Sequence, residues 1–229
     1  MFISTDAIIL KNTNYSETSI ISRLFSKEQG KISVIFKGAK RSKNNVAGIV
    51  EPGNIISITY YNKSDLKVSK EINLVNIYYN TRKVLENYYH TMAIISILDK
   101  VCMEDIQQLD IYNLSVSVFD KINKCEINTN LIFIYFLIQI NKLLGFGLPT
   151  DQSSLLADNY LHNNTISIIR ELHDTIDVLD NINSDLINKI DLINKLKIII
   201  YKHMKHYVID LSDIYAVNML KHLKDERTS

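Results

Sequence analysis

Residues 30–43 read GKISVIFKGAKRSK, an alternation of apolar and polar residues that runs into a basic loop. Ile32, Val34 and Phe36 fall at every second position, so a strand through them has one apolar face and one polar face. Gly38 then frees the chain to turn. The stretch predicts a β-strand with a loop at its C-terminal end.

The loop itself is rich in cations. Lys37, Lys40, Arg41 and Lys43 follow the strand without an intervening acidic residue. Such a cluster, with backbone NH groups beside it, can follow a sugar-phosphate chain. The alternative interpretation is a solvated turn, because charge runs are usually solvated faces.

The distribution of charge supports a local basic patch. The chain has a formal net charge of only +1. Residues 1–80 nevertheless hold 11 Lys and Arg against 6 Asp and Glu, whereas the remainder holds 15 against 19. Such asymmetry is typical of proteins in which one module contacts nucleic acid.

The first third of the chain favours β-structure. Gly30, Gly38, Gly48, Pro52 and Gly53 separate short runs with strand-like composition. Five short strands with basic loops fit a five-stranded OB-fold barrel, although a small sandwich has a similar pattern. The predicted strands are 6–11, 19–25, 31–36, 55–61 and 66–74.

Helical periodicity begins near residue 82. The fold class is therefore α+β with two domains, an OB-fold barrel at 1–80 and an α-helical bundle at 81–229. Ser184 and Ser212, each followed by Asp, are plausible starts of the last two helices. The apolar stripes at helical spacing are Met92, Ile95, Leu98 and Cys102, and Ile169, Leu172, Ile176 and Leu179.

The longest apolar run extends from Leu131 to Ile140. It is far shorter than the about 20 residues that a membrane span requires, so we expect a buried helix and no membrane association. The N-terminus shows no secretory signal, which indicates a cytoplasmic protein. Cys102 and Cys125 lie in apolar helical surroundings, which favours structural thiols over a disulfide.

Exposed aromatic rings beside a basic groove can stack on bases. Tyr15, in a predicted loop, is the best candidate, whereas Tyr60 and Tyr61 point to opposite faces of a strand, so only one of them can stack. We assign Phe25 and Phe36 to the barrel interior. Four tyrosines are expected to seal the joint between the domains: Tyr78, Tyr79, Tyr88 and Tyr89.

The sequence contains few residues that could bind a metal or catalyse a reaction. His203 and His206 have helical spacing, but two imidazoles are an incomplete zinc ligand set. Their segment, 201–207, is either the polar face of a helix or a basic surface near DNA. There is no nucleophile elbow or Walker signature, so we predict no catalytic residue, no metal and no cofactor.

An ordered set of residues resembles the RecO family of bacterial recombination mediators. The set comprises the segments DAIIL at 6–10, YSET at 15–18, GK at 30–31, KGAKRS at 37–42 and KLLGFGLPTD at 142–151, together with Phe25 and Pro52. The specific motifs cover only about 6–53 and 142–151, and elsewhere the helical plan alone agrees.

The resemblance implies a non-catalytic DNA repair protein with an N-terminal OB-fold and a helical C-terminal domain that bind DNA. Such a protein binds single-stranded DNA, and double strands are a further possibility. It anneals complementary strands and, with RecR, helps to load RecA onto strands coated by single-strand-binding protein, whose C-terminal tail it binds. The candidate DNA contacts are Arg23, Lys31, Lys37, Lys40, Arg41, Lys43 and Tyr15.

The chain departs from the family pattern in two places. Many members carry a four-cysteine zinc site after the Leu-Pro-x-x-Asp stretch, but no cysteine follows Asp151 here, so that site cannot form. A basic stretch expected near the last helix is replaced by Asp210-Leu211-Ser212-Asp213. Two other functions are compatible with the sequence: an RNA-binding OB-fold protein, and a scaffold that docks an acidic peptide tail.

Overall fold

The structure, a computed structural model, describes residues 1–41, 46–62, 65–148, 172, 179 and 190–228. Short 3₁₀ turns at Asn80–Arg82 and Leu211–Asp213 connect longer elements. Those elements are β1 (Phe2–Asn14), β2 (Ile20–Ser26), β3 (Gly30–Phe36), α1 (Val46–Ile49), β4 (Ile55–Tyr61), β5 (Leu66–Asn76), α2 (Leu85–Val101), α3 (Leu109–Lys124), α4 (Thr129–Leu143), α5 (Ile190–Tyr207) and α6 (Tyr215–Thr228).

The five strands close into a barrel in the order β1-β2-β3-β5-β4. β3 and β5 pair in parallel, and the antiparallel pairing of β1 with β4 completes the closure. Ile32, Val34 and Phe36 point into the barrel core, as the alternation of β3 predicts. Closure confirms the predicted OB-fold barrel followed by helices and excludes the open sandwich.

The outer face of the barrel packs against the helices. Ile8, Leu10, Phe25 and Ile55 belong to the same buried cluster as the apolar side chains of α2, α3 and α4. The ring of Phe25 lies 6.0 Å from that of Tyr112 on α3. Our assignment of Phe25 to the barrel interior is therefore wrong, because alternate β2 residues face the helical domain instead of the interior.

Helix α4 carries the apolar run and is buried on most sides, as predicted. The side chain of Asn128 accepts a hydrogen bond from the Asn130 backbone NH and caps its start. Residues 131–141 are all buried, and the amide of Gln139 donates to the carbonyl oxygen of Leu172 at 2.7 Å. A polar group at such depth is stable only when it is hydrogen-bonded.

Several helical predictions need correction. Ser212 belongs to a 3₁₀ turn that Asp210 caps, and the last helix begins three residues later at Tyr215. Tyr79 does not seal the domain joint, because its side chain is 63% exposed, whereas Tyr78 is buried. Cys125 is exposed at the end of α3, while Cys102 is buried.

Part of the helical pattern cannot be compared with the structure. Leu172 and Leu179, from the second apolar stripe, are fully buried as expected. Ile169, Ile176 and the proposed helix start at Ser184 lie outside the described residues.

Two cations of the barrel are joined to the last turn of α2. The guanidinium Nε of Arg23 lies 3.1 Å from Oδ1 of Asp99, and Nζ of Lys31 donates to the Asp99 carbonyl oxygen at 2.9 Å. Lys31 is buried, and a cation is favourable at the carboxyl end of a helix. Arg23 and Lys31 therefore join the barrel to the helical domain, and their role as DNA contacts stays a prediction.

A backbone bridge runs beside these side chains. The NH of Lys31 donates to the Met103 carbonyl at 3.0 Å, and the NH of Asp105 donates to the Lys31 carbonyl at 3.0 Å. The close approach requires a glycine at position 30. Gly30 has a φ of 67°, and a Cβ atom added to it would lie 1.9 Å from the Ile106 carbonyl oxygen. Glycine is therefore needed here for both conformation and space.

Replacing Gly30 with Ala should destabilise the protein strongly. Gly145→Ala is a matched control, because Gly145 also has a positive φ (85°) but an added Cβ there meets no described heavy atom within 4 Å. A left-handed conformation costs an L-residue about 1–2 kcal/mol, and overpacking adds about 1–3 kcal/mol at Gly30 alone. Chemical denaturation should show the larger loss for Gly30→Ala. Equal losses would contradict the close approach to Ile106.

Replacing Lys31 with Ala should lower the free energy of unfolding by about 1–3 kcal/mol, because a charged hydrogen bond to the helix end is lost. Lys37→Ala is the control, since Lys37 is exposed and surface substitutions change stability by less than about 0.5 kcal/mol. Urea midpoints at constant m-value provide the measurement. If both variants unfolded at the same midpoint, Lys31 would not be part of the joint.

Candidate nucleic-acid interface

Tyr15 is presented by a tight loop between β1 and β2. The backbone NH of Tyr15 donates to the Ser19 carbonyl at 3.2 Å, and the NH of Ser19 donates to the Ser16 hydroxyl at 3.1 Å. These bonds fix the loop while the Tyr15 side chain remains 61% exposed. An exposed ring on a fixed loop loses little conformational entropy when it stacks on another flat group.

The basic loop after β3 is anchored by the small apolar residue Ala39. Ala39 is buried in the barrel core, and its carbonyl accepts a hydrogen bond from the Ala47 NH at 3.2 Å. Gly38, with a φ of 69°, makes the turn that the Arg41 NH closes by donating to the Gly38 carbonyl at 3.1 Å. Lys37 and Arg41 are consequently held at the surface on either side of a buried anchor.

Lys40 connects the two loops. Its backbone NH donates to the Thr18 carbonyl at 3.0 Å, and its Nζ donates to the Ser16 carbonyl at 3.0 Å. The structure thus joins the loop that carries Tyr15 to the loop that carries the cations after β3. We call Tyr15, Lys37, Lys40 and Arg41 the loop surface.

One acidic side chain accompanies these cations. Glu17 is exposed in the same short loop as Tyr15. Lys37, Lys40 and Arg41 outnumber it, so the loop surface has a net positive charge. Lys43, the fourth predicted contact of this loop, lies outside the described residues.

Tyr60 and Tyr61 differ in environment, as alternation predicts. Tyr60 is buried in the barrel, its hydroxyl donates to Oε1 of Gln29 at 2.7 Å, and burial raises its pKa to about 12. Tyr61 is 40% exposed and pairs with Phe2 at the start of β1, whereas Tyr15 follows the end of that strand. Tyr61 therefore lies at the opposite end of the barrel from the loop surface.

That opposite end is acidic. A cleft of about 730 Å³ there is lined by Glu28, Asp65, Asp105 and Lys67 among others. Lys67 is buried, with its Nζ 2.8 Å from Oδ1 of Asp105, so its charge is compensated. Among the described residues that line this cleft, carboxylates outnumber cations, so the loop surface is better suited to a polyanion.

No catalytic constellation stands out in the described ranges. No group of three or more His, Cys, Asp or Glu side chains is placed there to hold a metal. Nε2 of His203 lies 2.7 Å from the Phe146 carbonyl oxygen, so a backbone group already occupies that nitrogen. None of the helices in the described part of the chain is long and apolar enough to cross a membrane.

Sequence reasoning found the side chains of the loop surface but not what holds them together. The bonds from Lys40 to Ser16 and Thr18 involve backbone carbonyls, which carry no sequence signal. The spacing between Thr18 and Lys40 gives no indication that the two loops touch. Pairing of β2 with β3, which places Ile20 opposite Phe36, is what brings them to the same end.

Known proteins match this chain along most of the described barrel and helices. The family profile "Recombination protein O N terminal" matches residues 1–78, and "Recombination protein O C terminal" matches residues 82–167. These two segments coincide with the barrel and with the first part of the helical domain.

Individual relatives agree with the profiles. A protein named DNA repair protein RecO from Pelodictyon phaeoclathratiforme is 28% identical over 148 residues, which cover 64% of this chain and 57% of the relative. A protein of the same name from Salinibacter ruber is 26% identical over 157 residues, which cover 68% of this chain and 60% of the relative. The matches thus span less than two thirds of either relative. With both family profiles matched in order on a closed barrel and the helices behind it, the chain belongs to the RecO family.

Proposed function

We propose that this protein acts in DNA repair and recombination by binding single-stranded DNA at the loop surface. The observation that carries the proposal is the contact between the two loops, since it joins the loop that bears the exposed Tyr15 ring to the loop that bears Lys37, Lys40 and Arg41. A ring for base stacking and cations for phosphates are the two components of single-strand binding. Neither component requires a particular base sequence.

Strand annealing follows from the same surface. Two complementary strands repel each other, and a protein that neutralises phosphates lowers that repulsion. Because the contacts are to phosphates and to the faces of bases, the Watson–Crick edges stay available for pairing. The protein thus promotes annealing without a chemical step, and we propose that it is not an enzyme.

The names of the relatives and the membership in the RecO family support a proposal about the partners of this protein. We propose that the protein acts on strands coated by single-strand-binding protein, contacts the C-terminal tail of that protein, and with RecR helps to load RecA. Double-stranded DNA is a further ligand to test, because the phosphate contacts do not distinguish one strand from two. With these partners, we propose that the protein acts at the nucleoid.

Removing two cations of the loop surface should reduce the salt dependence of binding. Each phosphate contact on a single strand contributes about 0.7 to the slope of log affinity against log salt, so Lys37→Ala/Arg41→Ala should flatten it by about 1.4. Lys40 is left intact because it holds the loops together. The binding of labelled oligothymidylate, measured by fluorescence anisotropy across a salt series, gives the slope.

A charge-matched control separates local contacts from net charge. Lys100→Ala/Lys124→Ala removes two exposed lysines from α2 and α3 and should leave the slope near that of the parent. Tyr15→Ala should lower affinity roughly 5- to 150-fold, the equivalent of one stacked base, with the slope nearly unchanged. Equal slopes for both double variants would show that the loop surface is a solvated turn.

The same variants distinguish the alternative functions. For an annealing protein, Lys37→Ala/Arg41→Ala should slow the annealing of complementary strands coated by single-strand-binding protein. An RNA-binding protein would bind RNA equally well without promoting annealing. A docking scaffold would bind an acidic peptide at the loop surface and show no affinity for DNA.

A further inference from the structure

The cleft near the start of β3 continues into a second cavity. The cleft of about 730 Å³ shares three of its lining residues with an adjoining cavity of about 320 Å³. Their charged lining consists of two lysines and four carboxylates: Lys31, Lys67, Glu28, Asp65, Glu104 and Asp105. We call this combined depression the acidic cleft.

Both lysines of the acidic cleft are buried and bonded within the fold. Nζ of Lys67 lies 2.8 Å from Oδ1 of Asp105, and Nζ of Lys31 donates to the Asp99 carbonyl oxygen at 2.9 Å. Only 3% of Lys67 and 8% of Lys31 is exposed. These two cations therefore belong to the floor of the cleft and are not presented at its mouth.

Three of the carboxylates are exposed. Glu28 accepts a hydrogen bond from the uncharged hydroxyl of Thr5, and Asp65 and Glu104 are also exposed. Among the described residues, none of the three has a cationic partner within the ion-pair distance. Lys27 is next to Glu28 in the chain but does not line the cleft. The mouth of the acidic cleft is consequently suited to a cationic partner.

Exposed apolar side chains adjoin these carboxylates. Met103 and Ile106 are 54% and 52% exposed, and Ile106 lies in the chain between Asp105 and Gln107, which both line the cleft. The Met103 NH donates to the side chain of Gln108 at 2.8 Å, which helps to hold the segment in one conformation. Apolar side chains beside unpaired charges are typical of a surface that binds protein.

The loop surface has the properties that such a partner requires. It presents the exposed cations Lys37 and Arg41 and the Tyr15 ring, which is 61% exposed. The guanidinium of arginine can form paired hydrogen bonds with a carboxylate, and a tyrosine ring can pack on Met103 and Ile106. Its loops are already fixed by hydrogen bonds, so the ordering cost on binding is small.

A single molecule cannot bring these two surfaces together. Glu28 precedes β3, and Lys37 follows it, so the seven residues of that strand separate the two by roughly 20 Å. The loop surface that meets the acidic cleft must therefore come from a second copy of the chain.

We propose that the loop surface of one molecule docks into the acidic cleft of another, so that copies of this protein associate head to tail. Each contact uses two different surfaces and leaves one of each kind available, so the assembly can grow. Single-stranded DNA competes with the second copy for the loop surface. This competition, unlike the association itself, rests on the proposed function.

Sedimentation velocity over a range of protein concentrations tests the association. At about 0.1 M salt, the weight-average sedimentation coefficient of the parent should rise with concentration. At about 1 M salt, where the Debye length is only about 3 Å, the coefficient should fall towards the monomer value. A parent that stayed monomeric at about 0.1 M salt up to its solubility limit would overturn the inference.

The cleft variant, Glu28→Gln/Asp65→Asn, should associate roughly 2- to 30-fold more weakly, the loss expected for two exposed ion pairs. Its charge-matched control is Glu71→Gln/Asp213→Asn, which removes two exposed carboxylates that do not line the cleft. The control should associate like the parent. Circular dichroism and thermal melting show whether each variant is folded. Equal weakening in both variants would assign the effect to net charge and refute the acidic cleft as the docking site.

The loop variant, Lys37→Ala/Arg41→Ala, should weaken association by a similar factor. Lys100→Ala/Lys124→Ala, on the helical domain, is its control and should associate like the parent. If the loop variant also associated like the parent, the loop surface would not be the partner of the cleft, and the inference would be wrong.

An equimolar mixture of the cleft variant and the loop variant distinguishes a head-to-tail contact from a symmetric one. The cleft variant keeps its loop surface and the loop variant keeps its cleft. The mixture should therefore form a 1:1 pair with the parental affinity, and this pair should not grow further. A symmetric interface would give no such rescue, so its absence would contradict the proposed arrangement.

Oligothymidylate separates this inference from the proposed function. It should dissociate the parental assembly and should bind the cleft variant as tightly as the parent monomer, because the loop surface is unchanged there. If oligothymidylate bound but the parent never associated, the inference would fail while the proposed function stood. If the parent associated but had no affinity for oligothymidylate, the proposed function would fail instead. Polylysine binding to the cleft of a parent that stayed monomeric would identify another basic protein as the occupant and overturn the inference.

Discussion

The last turn of α2 is the point on which the arrangement of the whole molecule depends. Asp99 uses its carboxylate for Arg23 and its carbonyl oxygen for Lys31, and both cations come from adjacent strands of the barrel. Gly30 lets the following segment approach closely enough for two backbone hydrogen bonds. The barrel is therefore fixed to the helices by polar contacts as well as by the shared apolar core.

This joint divides the cations of the barrel into two classes. Arg23 and Lys31 interact with the helical domain, and Lys67 forms an ion pair with Asp105. These three cations therefore take part in contacts within the fold. Lys37 and Arg41 protrude from the far end of β3, where the core ends and the chain turns. The same strand thus carries a structural lysine at its start and an exposed one just beyond its end. A local count of basic residues cannot distinguish the two classes.

Periodicity predicted a large part of what the structure shows. The alternation in β3 placed Ile32, Val34 and Phe36 inside the barrel, and the apolar run after residue 130 became the buried helix α4. The same rule failed for Phe25. Alternation separates the two faces of β2, but it does not show which apolar side chains line the barrel interior and which are covered by the helical domain. The bond from Lys31 to the helical domain was not predicted either, because its partner is 68 residues away in the sequence.

The opposite charges at the two ends of the barrel have a consequence for encounter kinetics. A molecule with cations at one pole and the carboxylates of Glu28 and Asp65 at the other experiences a torque in the field of a polyanion. It rotates before contact, so that the loop surface leads and unproductive collisions with the acidic pole become rarer. The field extends over roughly 10 Å at an ionic strength of about 0.1 M, enough to orient the barrel within the last few water layers of approach.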